Sequence, residues 1–204
     1  EATYPGPIRQ TLRALGFLDR EDASLGLPSK RFVLAGDSAG AQIAAQTAAV
    51  VTHPAYARLV GVTPEPGGYR IAGALLHCGV YDIADMGRDG GLLGWFVGAA
   101  GWAYSGKRDW RDDRQFLTMS LAPHLTKAFP PAFVSAGNAD PLGPQSVALA
   151  RNLAAAGVPV ETLFFPPDHQ PALGHEYQFD LATAAGRLAL ERSVEWLRQL
   201  DEAP

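Results

Sequence analysis

The chain has 204 residues, enough for one domain or a large part of one. Apolar residues make up 47% and charged residues 19%, which supplies a sizeable core and argues against disorder. Lys plus Arg is 17 against 21 for Asp plus Glu, a formal net charge of −4 that has the wrong sign for a nucleic-acid binder, and the single cysteine, Cys78, excludes an intrachain disulfide or a cysteine-based zinc site and fits a reducing compartment.

In chain order, Pro7 to Leu18 reads as a helix, with Ile8, Leu12 and Leu15 on one face and prolines at its start. Arg31 to Ala35 is a short apolar run of the kind that forms a buried strand. Ala39 to Val51 is alanine-rich and reads as a helix with Ile43, Thr47 and Val50 on one face; Ile71 to Leu76 is the next strand. Tyr81 to Lys127 is irregular and rich in aromatics (Trp95, Phe96, Trp102, Tyr104, Trp110, Phe116), and reads as a partly helical insert with a solvated charged patch at Arg108 to Arg114. Its apolar stretch from Gly90 to Gly106 falls short of the roughly 18 residues of a membrane span, and no signal peptide is apparent. Ala132 to Ala136 is a third strand, Pro144 to Ala156 a helix closed by Gly157, Val158 to Phe165 a fourth strand, and Leu181 to Leu200 a last helix with Leu190, Val194 and Leu197 on one face. Alternating strands and helices predict an α/β fold with a mostly parallel sheet.

The strongest local signal is Gly36-Asp37-Ser38-Ala39-Gly40, a G-x-S-x-G motif with a strand before it and a helix after it. A sharp strand-to-helix turn pushes the Ser38 hydroxyl out at the sheet's C-terminal edge, with glycines on either side leaving room for close passage. The N–H of Ala39 then faces the space above Ser38 and can hold a developing oxyanion. The plain alternative is a glycine-rich turn without chemistry.

Serine needs a base, and the base a carboxylate to orient it. Asp140 follows the third strand within a short loop, Gly137-Asn138-Ala139-Asp140-Pro141, where a carboxylate would face the same edge as Ser38. Alone it reads more readily as a turn residue; its order in the chain and its placement reverse that. His169 and His175 both lie after the fourth strand; His175 is preferred because Gly174 permits a tight approach, and His169 stays as the alternative. His53, His77 and His124 precede Asp140 and read as structural. A metal set of Asp168, His169, His175 and Glu176 matches no standard zinc spacing. The segment Tyr81 to Phe116 is either a lid and pocket wall or ordinary core.

Taken together, GDSAGAQIAAQ, SAGNADPL and LGHEYQF resemble the bacterial α/β-hydrolase esterases related to hormone-sensitive lipase, as do YPGPIRQTLRAL and SKRFVLAGDSAG ahead of the serine. The resemblance covers nearly the whole chain. It implies an α/β-hydrolase fold over residues 1–204, with 81–127 as a lid-like insert, and a cofactor-free carboxylic-ester hydrolase acting on small-molecule esters. Ser38 would be nucleophile, His175 general base and acid, and Asp140 its orienter. The family's His-Gly-Gly oxyanion loop has no counterpart before Ser38; Gly67-Gly68 and Gly90-Gly91 come after it. The sequence therefore looks like the C-terminal portion of such an enzyme, holding half of its sheet. The strand Arg31 to Ala35, central in that family, would keep one bare edge, which a second copy or a complementing N-terminal segment would cover. Alone, the chain is expected to be weak or inactive. A non-catalytic binding or assembly module is the contrasting reading, and the same machinery would also serve a peptidase, lactonase or acyltransferase.

Overall fold

The computed structural model describes residues 2–84, 86 and 91–202. Of the expected insert, residues 85 and 87–90, Gly90 among them, lie outside the described residues.

The elements run α1 (Gly6–Arg20), α2 (Asp22–Leu25), β1 (Arg31–Asp37), α3 (Ala39–Thr52), α4 (Pro54–Val60), β2 (Arg70–His77), α5 (Gly91–Ser105), α6 (Arg114–Leu117), β3 (Ala132–Ala136), α7 (Gly143–Ala155), β4 (Val160–Phe164) and α8 (Ala184–Glu202). The short helices α2 and α4 were not expected. For α4 the signs are local: Pro54 opens it and Gly61, in the left-handed region at φ 72°, closes it.

The four strands form one parallel sheet in the order β1-β2-β3-β4. Every strand therefore points its C-terminal end at the same edge, where open α/β sheets place their ligands. Side chains alternate between the two faces along a strand. Leu76, Ala132 and Val134 pack into a core with α1, α3 and α7, while Phe133 and Leu163 pack on the other face with Ala185, Ala189 and Trp196 of α8. All five residues of β3 are buried, as an interior strand requires. The fold is the α/β class with a parallel sheet that the alternation of elements predicts.

The sheet edge follows expectation and one helix face departs from it. β1 bonds only to β2 among the described residues, and Leu34 is its one buried residue, so it lies at the sheet edge. On α8 the inner face is Ala185, Gly186, Ala189, Ser193 and Trp196; Leu190 is 51% exposed and Val194 36%. Small residues let α8 lie close to the sheet, and Trp196 reaches Phe133 with ring centroids 6.0 Å apart. A Cβ at Gly73 of β2 would come within 2.8 Å of Trp196 and 2.6 Å of Leu200. Close approach selects the small residues over the leucine row. Likewise α3 buries residues nearly all round, including Gln42 and Gln46, while Ile43 is only half-buried.

The insert is partly helical, as expected. Trp110 and Phe116 are buried, whereas Trp95, Phe96 and Trp102 are exposed. Its charged patch is not uniformly solvated: Trp110 is buried within it, Arg111 stacks 4.1 Å above that ring, and Arg108 lies 4.6 Å above Trp102. None of the described helices is long and apolar enough to cross a membrane.

Candidate active site

Ser38 sits between the end of β1 and the first residue of α3, at φ 54° and ψ −120°, a conformation rare for a residue with a side chain. Its N–H donates to the carbonyl of His77 at 2.9 Å, which pins the turn to β2. The next residue, Ala39, opens α3, and the first N–H groups of a helix have no intrahelical acceptor. Ser38 and Ala39 line the same cavity.

The other two groups come from the ends of β3 and β4. Asp140 is 5% exposed, and its Oδ1 accepts the N–H of Leu142 at 2.8 Å, which anchors the carboxylate in its own turn. His175 Nδ1 lies 3.1 Å from both Asp140 oxygens, and its Nε2 lies 3.0 Å from Ser38 Oγ. In the tautomer whose Nδ1–H donates to the carboxylate, Nε2 is free to accept from the serine hydroxyl. Three side chains spread over 137 positions of chain thus meet in one hydrogen-bonded line. His169 does not join it: its ring packs against Phe165 with centroids 4.8 Å apart.

Asn138 holds the two loops in register, a role its sequence position did not reveal. Its amide donates to the carbonyls of Pro167 and His169, at 3.3 and 3.1 Å, and its oxygen accepts from Leu173 N at 2.9 Å. Ala139 N donates to Leu173 O at 2.9 Å alongside. Gly137 must be glycine for this seam, because a Cβ there would lie 2.2 Å from that same carbonyl. The other histidines serve the scaffold: His77 Nδ1 meets Ser135 Oγ at 2.6 Å, His53 Nδ1 meets the carbonyl of His124 at 3.1 Å, and His124 stacks on Tyr56. Burial pushes the His77 imidazole down to about 4, so it stays neutral.

Beside His175 stands a pair of acidic side chains, Asp37 and Glu176. Burial, and then the neighbouring Glu176, push the Asp37 carboxyl up to about 6 from 3.8, against the opposing hydrogen bond from Gln178 Nε2. A carboxyl raised in this way weakens the fold while ionised. The penalty is full above pH 6 and fades as pH falls from about 6 towards 3.8. Asp37→Asn keeps an oxygen for Gln178, so it should stabilise the protein at pH 8 by roughly 1 kcal/mol, discounted for the partial exposure of the group, and by little at pH 4. Thermal melts at the two pH values check this; an equal shift at both, or a lower Tm at pH 8, would contradict it.

Cys78 Sγ, Asp140 and His175 bring three potential ligand atoms within 4.8 Å of one another. They are poorly suited to a metal. Burial pushes the Cys78 thiol up to about 12, so it keeps its proton, and Asp140 and His175 are already paired with each other.

The cavity above Ser38 has a volume of about 530 Å³. Val80, Ile83, Val97, Phe116 and Met119 give it an apolar lining, with Ser38 and His175 also on its wall. Trp110 and Phe116 are at once core residues and cavity wall.

A strained serine at a strand–helix turn, with its partners at the ends of two further parallel strands, is the architecture of one large class of proteins. The sequence profile of the alpha/beta hydrolase fold matches residues 1–169, and the chain belongs to that family. The matched region includes Ser38 and Asp140 and stops short of His175. The chain is similar to the carboxylesterase NlhH of Mycobacterium tuberculosis, 30% identical over 211 residues, covering 98% of this chain and 60% of that protein. It therefore spans about three fifths of the length of the curated relatives it matches. Among solved structures, esterase B from Lactobacillus rhamnosis is similar with a TM-score of 0.76 at 22% identity, covering 98% of this chain and 61% of that one. The carboxylesterase Cest-2923 from Lactobacillus plantarum has a TM-score of 0.72 at 18% identity, covering 98% and 69%. At these identities the structural likeness speaks for the fold.

Proposed function

We propose that the protein is a serine hydrolase of carboxylic esters, of the hormone-sensitive-lipase-like kind. The observation that carries this reading is the unbroken line Ser38 Oγ–His175–Asp140 at the wall of an apolar cavity. Ser38 attacks the ester carbonyl as His175 Nε2 takes its proton. The carbonyl oxygen becomes an oxyanion beside the Ala39 N–H, with the positive end of α3 behind it. Asp140 steadies the imidazolium. The tetrahedral intermediate collapses as His175 protonates the leaving alcohol, which leaves an acyl-enzyme on Ser38. Water activated by the same imidazole then releases the acid. No step calls for a cofactor. Residues 81–127 act as a lid-like wall of the acyl pocket. The similarity to proteins named carboxylesterases supports esters over amides.

The oxyanion donor this chain supplies is Ala39, and a His-Gly-Gly motif is not among its residues. Loss of one such donor lowers kcat by about 10²–10³, so the 204-residue chain alone is expected to turn over short p-nitrophenyl esters slowly. Activity like that of ordinary full-length esterases would refute this. The chemistry is tested by a fluorophosphonate, which should label Ser38 covalently and fail on Ser38→Ala and His175→Ala. Labelling of another residue, or undiminished labelling of His175→Ala, would refute the assignment. The contrasting reading as a binding module predicts no labelling at all.

A further inference from the structure

Gln42 lies one turn beyond Ser38 in α3, is 1% exposed, and lines the same cavity. The orientation of a buried amide is settled by what its neighbours can donate, and here the neighbours settle it. Backbone carbonyls only accept. Thr118 Oγ1 donates to the carbonyl of Gln115 at 2.6 Å, so it must accept from the Tyr4 hydroxyl, also at 2.6 Å. The Tyr56 hydroxyl donates to the carbonyl of Thr118 at 2.6 Å. Burial raises both phenols, so neither gives up its proton to solvent. Both phenol protons are therefore spent, and the group Gln46 turns towards them must donate: its Nε2, at 2.6 Å from Tyr4 and 2.9 Å from Tyr56. Gln46 Oε1 is left to accept the amide of Gln42 at 2.6 Å. Flipping Gln42 would set one carbonyl oxygen against another.

The relay thus runs one way, from the cavity wall to two backbone carbonyls, and the atom it leaves over is Gln42 Oε1, an acceptor without a partner among the described residues. A buried unpaired acceptor is costly, and a site built around one discriminates against an analogue that has no donor to offer. Tyr104 also lines this cavity, and its buried hydroxyl is likewise without a partner among the described residues. Ser38, His175 and Glu176 are the other polar or charged residues with side chains on this wall, near the reacting end, and the remaining lining is apolar.

We propose that Gln42 is a specificity determinant, selecting esters whose buried arm carries a hydrogen-bond donor, a hydroxyacyl group, over their all-carbon isosteres. This rests on the reading of Ser38 as the ester-attacking nucleophile. The position of Gln42, about 6 Å along the helix axis from Ser38, places the selected hydroxyl a few bonds from the carbonyl carbon rather than at the end of a long chain.

Ethyl 3-hydroxybutyrate and ethyl 3-methylbutyrate share one skeleton and differ by hydroxyl against methyl. NMR titration of the Ser38→Ala protein, which binds esters without cleaving them, should show the hydroxy ester binding about tenfold tighter. Adding Gln42→Met, close in shape and without the carbonyl, should erase the difference. Equal or weaker binding of the hydroxy ester overturns the proposal, as does a preference that survives in folded Gln42→Met. Where Gln42→Met fails to fold, the isostere comparison with Gln42 intact decides. Hydrolysis of the two esters by the unsubstituted protein is read separately. A binding preference without turnover of either ester would refute the esterase reading and keep the role of Gln42, and turnover without a binding preference would do the reverse.

Discussion

Changing Asp140 to asparagine should slow both ester hydrolysis and fluorophosphonate labelling of Ser38 by about 10⁴-fold, with little change in melting temperature. The size of the effect follows from which proton sits where. Asp140 accepts the Nδ1 proton of His175 at 3.1 Å through both oxygens, which leaves Nε2 as the acceptor facing Ser38. An asparagine keeps an oxygen for the Leu142 N–H, so the turn is preserved. Its amide then donates to Nδ1, the ring proton moves to Nε2, and the serine loses its base. A merely structural Asp140 would show the opposite pattern, a lower Tm with near-normal labelling. Rates within tenfold of the unsubstituted protein would remove Asp140 from the proposed machinery.

The sequence was most legible where one local pattern suffices. β3 coincides with the predicted strand Ala132–Ala136, and Ile8, Leu12 and Leu15 form the buried face of α1 as their spacing predicts. The serine turn was legible because glycine, serine and a strand–helix boundary leave few alternatives. Legibility ended where partners are distant. Leu190, Val194 and Leu197 look like an inner face because leucine is more apolar than alanine, yet only Leu197 packs partly against the core, and the distance at which α8 meets Gly73 and Phe133 decides otherwise, in favour of Ala185 and Ala189. Nothing local marks Gln42 and Gln46, because the partners of their relay, Tyr4, Tyr56 and Thr118, come from three separate segments. Asn138 belongs to the same category, because the loop it clamps begins nearly thirty residues later.

The two glycines of the serine turn should behave very differently, although the motif treats them alike. A Cβ at Gly36 would lie 2.3 Å from both the carbonyl carbon and the oxygen of Gly40, and 2.6 Å from the nitrogen of Ala41. These are backbone atoms of the first turn of α3, and they cannot rotate out of the way. Gly36→Ala must push β1 and α3 apart, at a cost of about 3 kcal/mol or more, a fall in Tm of roughly 10 °C for a chain of this size. The same displacement carries Ser38 away from His175 Nε2, so labelling should be lost even well below the melting point. At Gly40 a Cβ meets no described atom within 4 Å, and the residue is helical. Alanine there should leave the fold intact or stabilise it by up to about 1 kcal/mol, with labelling of Ser38 preserved. The pair separates two explanations of the motif, since a need for flexibility at the turn would make both substitutions harmful. Close approach of strand to helix makes only the first so. Melting curves and labelling rates for the two variants, measured side by side, decide between them; a stable, reactive Gly36→Ala would show that the contact between β1 and α3 does not hold Ser38 in place.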